Sequence, residues 1–184
     1  KIRDEGPLGF DVFMEIALYS EEGFYLNSQP VGHAGDYFTS PSVHPVFGAM
    51  VAVQLWQIWK LLGKPAPFTV VECGAGSGLL AKDVLGCLKE FSQELTNSLS
   101  YVAVDRVPIG EPMEEITSIV STQLPKLDNV EVVLSNELLD AFPVHRFEAQ
   151  DQVAREVYVT LDNAQNFSEV LDVPSSAKLT DQAN

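Results

Sequence analysis

Basic residues are scarce in this chain of 184 residues: 11 Lys and Arg stand against 26 Asp and Glu, for a formal net charge of −15. Phosphate neutralisation needs clustered Lys and Arg, so the balance argues against nucleic acid as a partner. A basic protein suits the field better, although acidity also serves solubility alone. Cysteine is nearly absent. Cys73 and Cys87 form neither a C-x-x-C pair nor a metal-ligand spacing, which predicts a reduced, intracellular protein. His33, His44 and His145 stand apart from one another with no H-x-x-x-H pattern, so spacing gives no metal site. No apolar run has the length of a membrane span, and the opening Lys1-Ile2-Arg3-Asp4-Glu5-Gly6-Pro7 lacks a signal-peptide core. A soluble chain is expected. Internal repeats and low-complexity tracts are missing too.

What is present reads as globular: 46% hydrophobic residues against 20% charged, in a length that fits one domain with a sizeable core. The most informative stretch is Phe68 to Gly78. An apolar run, Phe68-Thr69-Val70-Val71, ends in Glu72 and opens into Gly74-Ala75-Gly76-Ser77-Gly78, after which a helical pattern begins. Strand, glycine turn and helix follow in that order, and glycines at such a turn let bare backbone approach a ligand. A dinucleotide fingerprint would want glycine where Leu79 stands, and the Lys and hydroxyl pair of a P-loop is missing. A tight turn that binds nothing is the plain alternative.

Three segments are predicted along the chain. Residues 1–66 form a helical and loop segment. Within it, Phe10, Phe13, Met14, Ala17 and Leu18 mark a short helix, Tyr19 to Tyr37 an aromatic-rich loop that the tyrosines can anchor, and Phe47 to Leu62 a helix stopped by Gly63. Gly35-Asp36-Tyr37-Phe38-Thr39-Ser40-Pro41 fits no period and suggests a binding surface, or simply a helix start with Ser42 as its cap. Residues 67–143 form the core. Leu80, Val84, Leu88, Phe91 and Leu95 mark a helix on a sheet, and Tyr101 to Val104 a second strand ending in Asp105. An acid there can accept hydrogen bonds from two ribose hydroxyls, or be a surface acid. Ile116, Ile119, Val120 and Leu124 suggest a further helix, and Asn129 to Leu134 a third strand. Beyond it, Asn136, Glu137 and Asp140 fall on the same sheet edge as Gly74 and Asp105 if the strands are parallel, or merely cap a short helix. Residues 144–184 read as an antiparallel meander, followed by a last helix opened by Pro174-Ser175-Ser176.

Taken together, these stretches closely resemble the MidA-like S-adenosylmethionine (SAM)-dependent methyltransferases, a family that includes a mitochondrial arginine methyltransferase assisting assembly of respiratory complex I. The likeness runs from about Gly6 to the C-terminus. It rests on Ala17-Leu18-Tyr19, Gly23-Phe24-Tyr25, Gly35 to Pro41, Phe47-Gly48, the Glu72 to Gly78 turn, and Asn136-Glu137-Leu138-Leu139-Asp140-Ala141-Phe142-Pro143-Val144. The resemblance implies an α/β fold: a Rossmann-like class I methyltransferase sheet with a helical N-terminal extension and a C-terminal antiparallel β insertion. It also implies an incomplete chain, because the family's chains continue past this one's end. By the same likeness, Gly74, Gly76 and Gly78 line the methionine part of the cofactor SAM and Asp105 takes its ribose, with Glu72, Ala75 and Ser77 also implied in binding the cofactor. Asn136 joins them, while Gly35, Asp36, Thr39 and Ser40 close over the cofactor. Glu137 and Asp140 are the implied catalytic pair, facing the methyl group and its acceptor. Arg106-Val107-Pro108 departs from the small polar residues expected after the second-strand acid, on the adenine side.

The function implied is methylation of a basic or arginine-containing protein, linked to assembly of a respiratory or other complex. The compartment implied is cytoplasmic in a bacterium and mitochondrial in a eukaryote. A guanidinium acceptor makes physical sense of paired carboxylates, which hold its planar fork and orient a nitrogen lone pair. A non-catalytic SAM- or nucleoside-binding assembly module is the alternative. An NAD-linked enzyme is disfavoured by Leu79 and by the lack of a hydride-transfer constellation.

Overall fold

The computed structural model describes residues 1–27, 39–110, 112–151 and 153–183. It opens with α1 (Ile2–Glu5), β1 (Leu8–Gly9), α2 (Phe10–Tyr19), α3 (Phe24–Asn27), α4 (Ser40–Val43) and α5 (Val46–Leu61). There follow β2 (Phe68–Cys73), α6 (Leu79–Phe91), α7 (Gln93–Ser98), β3 (Leu99–Asp105), β4 (Ile116–Val120) and β5 (Val132–Ser135). A 3-10 turn (Leu139–Ala141) leads to β6 (Phe147–Gln150), β7 (Val153–Leu161), β8 (Phe167–Asp172) and α8 (Ala177–Ala183). Two compact units result: Gln29–Asp140, and Lys1–Ser28 together with Ala141–Asn184.

The first unit is built on a parallel sheet in the order β4-β3-β2-β5. Its central strand β2 is buried almost throughout, with Phe68, Val70 and Val71 apolar and Thr69 and Glu72 the buried polar residues, as expected where both faces are covered. On one face Phe68, Val70, Tyr101 and Ala103 pack against Ala52, Leu55 and Trp59 of α5 and Leu80, Val84 and Leu88 of α6. On the other, Val71, Val102 and Val104 meet Leu127 and Val130 from the β4–β5 connection rather than a helix. The helices cross closely because Gly48 lies against the Asp83 backbone and Cβ. Gly63, at φ +79°, follows α5 as the sequence predicts.

Four expectations change here. The pattern Ile116, Ile119, Val120 belongs to a strand, β4, paired in parallel with β3 from Tyr101↔Ile116 to Asp105↔Val120. A spacing of three and four fits a helix. However, Ile116-Thr117-Ser118-Ile119-Val120 is mostly β-branched, and stiff side chains favour the pleated surface. The helix drawn through Leu95 is two helices, α6 and α7, with Ser92 capping the second through the Leu95 N–H. Thr39, not Ser42, is the N-cap residue of α4. Ser42 reaches back from the first turn, accepting from the Thr39 N–H at 2.9 Å and donating to its carbonyl at 2.8 Å. The third strand is Val132–Ser135, shorter and later than Asn129 to Leu134.

In the second unit β7 is the central strand of an antiparallel sheet, flanked by β6 and β1 along one side and β8 along the other. The expected meander is there, with Asp151 and Gln165 at positive φ in its two turns. Asp162 organises the second turn by accepting from the Ala164 and Asn166 N–H groups at 2.8 and 2.9 Å. Helix α2 lies on this sheet through an edge contact of Phe13 with Phe167, centroids 5.1 Å apart. Tyr19 donates to the Ala141 carbonyl at 2.7 Å and stacks on Tyr25, so tyrosine does anchor the start of the aromatic segment. That segment holds a short helix, α3, before the stretch outside the described residues. Among the described residues no helix is long and apolar enough to cross a membrane.

Candidate functional site

In the parallel sheet, Cys73 of β2 pairs in register with Val104 of β3 on one side and Ser135 of β5 on the other. The next residue on each strand is therefore Gly74, Asp105 and Asn136, side by side at the carboxyl edge. The chain runs outward from β2 through β3 to β4 and then crosses back to β5 on the far side of β2. That reversal is the topological switch point, where open α/β sheets form their ligand crevice.

The glycine turn is held from below and left bare above. Gly74 and Ala75 donate their N–H groups to the Val104 carbonyl at 2.8 and 3.3 Å, and Gly78 donates to Ala75 at 2.8 Å. Gly74, Gly76 and Gly78 take φ of +73°, +54° and +78°, conformations that other L residues adopt only with strain. Crowding adds to this at Gly74, where a Cβ would lie 2.8 Å from Leu138 Cδ1, whereas one at Gly76 would meet open space. Ala75 is buried, Ser77 exposed, and α6 starts at Leu79 with no side-chain cap.

Two acids serve the turn in different ways. Asp105 accepts from the Gly76 N–H at 2.8 Å through Oδ2 and from the Val107 N–H at 3.2 Å through Oδ1, tying the end of β3 to the turn. Glu72 is 3% exposed, on the helix-covered face beneath the turn, and accepts from the Tyr101 hydroxyl at 2.8 Å. Burial pushes its carboxyl up to about 7; the Tyr101 hydrogen bond works against this and the Asp105 charge adds to it. Burial and then the Glu72 charge raise the Tyr101 hydroxyl, which remains a neutral donor.

Beyond β5, Asn136 is half-buried while Glu137 and Asp140 are exposed. Glu137 has φ +51°, a cost borne by a non-glycine residue directly after the sheet edge. Leu138 turns back over Gly74, so this segment is packed onto the turn. Glu72, the turn from Gly74 to Gly78, Asp105 and Asn136 to Asp140 are thus brought together. Thr39 and Ser40 begin α4, and their contacts are those of a helix start. Gly35 and Asp36 lie outside the described residues.

Sequence reasoning passed over five contributors. Tyr101 and Leu138 carry no polar pattern that would mark them. Gly110, Pro112 and Met113, in the connection after β3, face Ser77, Gly78, Leu79 and Lys82 across a cavity of about 320 Å³. Gly110 fits because a Cβ there would press on the Ser77 carbonyl at 3.3 Å.

Comparison with known proteins agrees with this geometry. Residues 50–184 match the model of a family described as S-adenosyl-L-methionine-dependent methyltransferases. The mitochondrial protein arginine methyltransferase NDUFAF7 homolog of Drosophila melanogaster is 31% identical, over 91% of this chain and 45% of its own length. The mitochondrial protein arginine methyltransferase NDUFAF7 of Homo sapiens is 26% identical, over 88% of this chain and 44% of its own. The chain therefore spans less than half the length of these curated relatives. A Burkholderia thailandensis crystal structure with bound S-adenosyl-homocysteine superposes at a TM-score of 0.78 with 26% identity, covering 98% of this chain and 50% of that one.

Proposed function

From the premise that this chain belongs to the family of S-adenosyl-L-methionine-dependent methyltransferases, we propose that it binds SAM at the glycine turn and directs its methyl group to an arginine of a protein substrate. The observation that carries this reading is the row Gly74, Asp105, Asn136 at the switch point of a parallel sheet, with open space above Gly76. Bare backbone from Gly74 through Ala75, Gly76 and Ser77 to Gly78 suits the methionine portion, and Asp105, an ionisable acceptor at the end of β3, suits the ribose hydroxyls. Glu72 supports the turn from beneath. Gly35, Asp36, Thr39 and Ser40 belong to the segment assigned to cover the cofactor.

SAM supplies an electrophilic methyl group: a nitrogen lone pair forms the new C–N bond as the S–C bond breaks, the sulfonium becomes a thioether, and the nitrogen releases a proton. The residues' part is to position the acceptor. Glu137 and Asp140, exposed carboxylates just past the turn, can hold a guanidinium by charge-assisted hydrogen bonds and present one nitrogen in line. An acidic chain of net charge −15 favours encounter with a basic partner. The relatives' names point to mitochondria in a eukaryotic source.

The test is transfer of an isotopically labelled methyl group from SAM to an arginine-rich protein, located by mass spectrometry. Glu137→Gln should lower transfer on the order of 100-fold while leaving SAM affinity nearly unchanged. Label on lysine or on carboxylates, or full transfer by the variant, would refute the assignment. Tight SAM binding without any transfer would favour the binding-module alternative.

A further inference from the structure

In the unit that does not contain the glycine turn, three side chains with metal-binding chemistry converge. Asp11 stands in the first turn of α2, His145 precedes β6, and Glu156 lies within β7. His145 Nδ1 is 2.7 Å from Glu156 Oε1 and 3.6 Å from Asp11 Oδ1, and one ligand atom of each lies within 4.8 Å of the others. We propose that Asp11, His145 and Glu156 bind one divalent cation of the zinc class.

Four observations support the site. The first is the donor set and its spacing: one imidazole nitrogen and two carboxylate oxygens are ligands for zinc-class ions. Ligands at about 2.0–2.2 Å around a tetrahedral ion stand roughly 3.3–3.6 Å apart. The 3.6 Å separation of His145 from Asp11 matches that, and the 2.7 Å hydrogen-bond contact of His145 with Glu156 would open by roughly 0.6 Å to admit the ion.

Support behind the ligands is the second. Glu156 has no exposed surface, and its other oxygen accepts from the Tyr158 hydroxyl at 3.2 Å and from the Ser175 N–H. Outer partners of this kind orient a ligating carboxylate.

Third, room is kept. A Cβ at Gly9 would lie 2.5 Å from Asp11 Oδ1 and 3.8 Å from Glu156 Oε1, so glycine leaves open the space beside both oxygens. Fourth, no lysine or arginine competes for these ligands among the described residues. Among the described residues neither Asp11 nor Glu156 pairs with Lys or Arg, and the neighbouring Arg146 is engaged by Glu169 and the Phe10 ring. A divalent ion held by the three side chains would complement the two carboxylates. It would tie α2 to β7 and to the segment leading into β6. Spacing rules could not find this site, because its ligands come from a helix, a connection and a strand distant in sequence.

The experiment is competition titration of Zn²⁺ into the chelator-stripped chain against a chromophoric chelator, with far-UV circular dichroism to verify folding. One equivalent should bind and raise the melting temperature. Asp11→Asn and His145→Gln, each altering a partly exposed ligand, should each weaken uptake on the order of 10-fold or more and abolish the thermal shift, and Tyr158→Phe should weaken it about 10-fold. Cys73 and Cys87 are present in every variant, so uptake by thiols cancels. Equal zinc affinity in the unaltered chain and either folded ligand variant, or no uptake at all, would overturn the proposal and leave a hydrogen-bonded His–carboxylate cluster. The result does not depend on whether SAM binds.

Discussion

Glu72 couples the candidate site to stability through a single proton. In the folded chain its carboxyl titrates near 7, against 4.5 as the ordinary value. Between those pH values the folded state holds a proton that the unfolded chain has released, so stability falls as pH rises. The contribution is full below 4.5 and gone above 7, a loss of about 3 kcal/mol. Glu72→Gln keeps an acceptor for Tyr101 without the charge. Urea denaturation of both proteins across this window should show the unaltered chain losing stability relative to the variant as pH rises. A constant difference would mean that Glu72 is ionised throughout. The glycines of the turn separate strain from crowding in the same way. Gly76→Ala meets only an unfavourable φ, costing about 1 kcal/mol, while Gly74→Ala also brings a Cβ onto Leu138 Cδ1, which must move aside, and should cost up to about 1 kcal/mol more. Denaturation midpoints of the two variants give that ordering, and a reversed order would contradict the packing of Leu138 on the turn.

At the scale of elements, the α5–α6 crossing makes the sharpest prediction. Gly48→Ala would place its Cβ on that of Asp83, backed by the Asp83 and Val84 backbone, so the helices must separate. A loss of about 1–3 kcal/mol is expected by chemical denaturation; an unchanged midpoint would mean that the crossing has slack. Elements were legible where pattern and chemistry agreed. β2 is apolar, β-branched and closed by a glycine turn, and α5 has a continuous apolar face stopped by Gly63. β4 was misread because Ile116, Ile119 and Val120 satisfy a helical spacing, while only pairing with β3 shows that their pleated surface is used. Ser92 was invisible as a break because a lone serine interrupts no apolar period. In the site, Gly74, Asp105 and Asn136 could be aligned on paper because parallel strands ending together place their next residues side by side. Tyr101 and Leu138 could not, since their roles arise from packing across strands.

For the molecule as a whole, the chain order hides its organisation. N-terminal α2 packs with the C-terminal meander in one unit, and the parallel sheet with α5 and α6 forms the other. The antiparallel unit brings Asp11 to His145 and Glu156, a juxtaposition that the linear segments do not express. The parallel unit carries every described residue of the proposed cofactor site.

Calorimetric titration of SAM and of NAD into this chain, with Asp105→Ala as the control, tests whether the glycine turn and Asp105 form a SAM site. One equivalent of SAM should bind and no measurable NAD, with SAM affinity reduced roughly 10- to 100-fold in the variant. Failure of SAM to bind, or binding that the loss of Asp105 leaves unchanged, would contradict such a site.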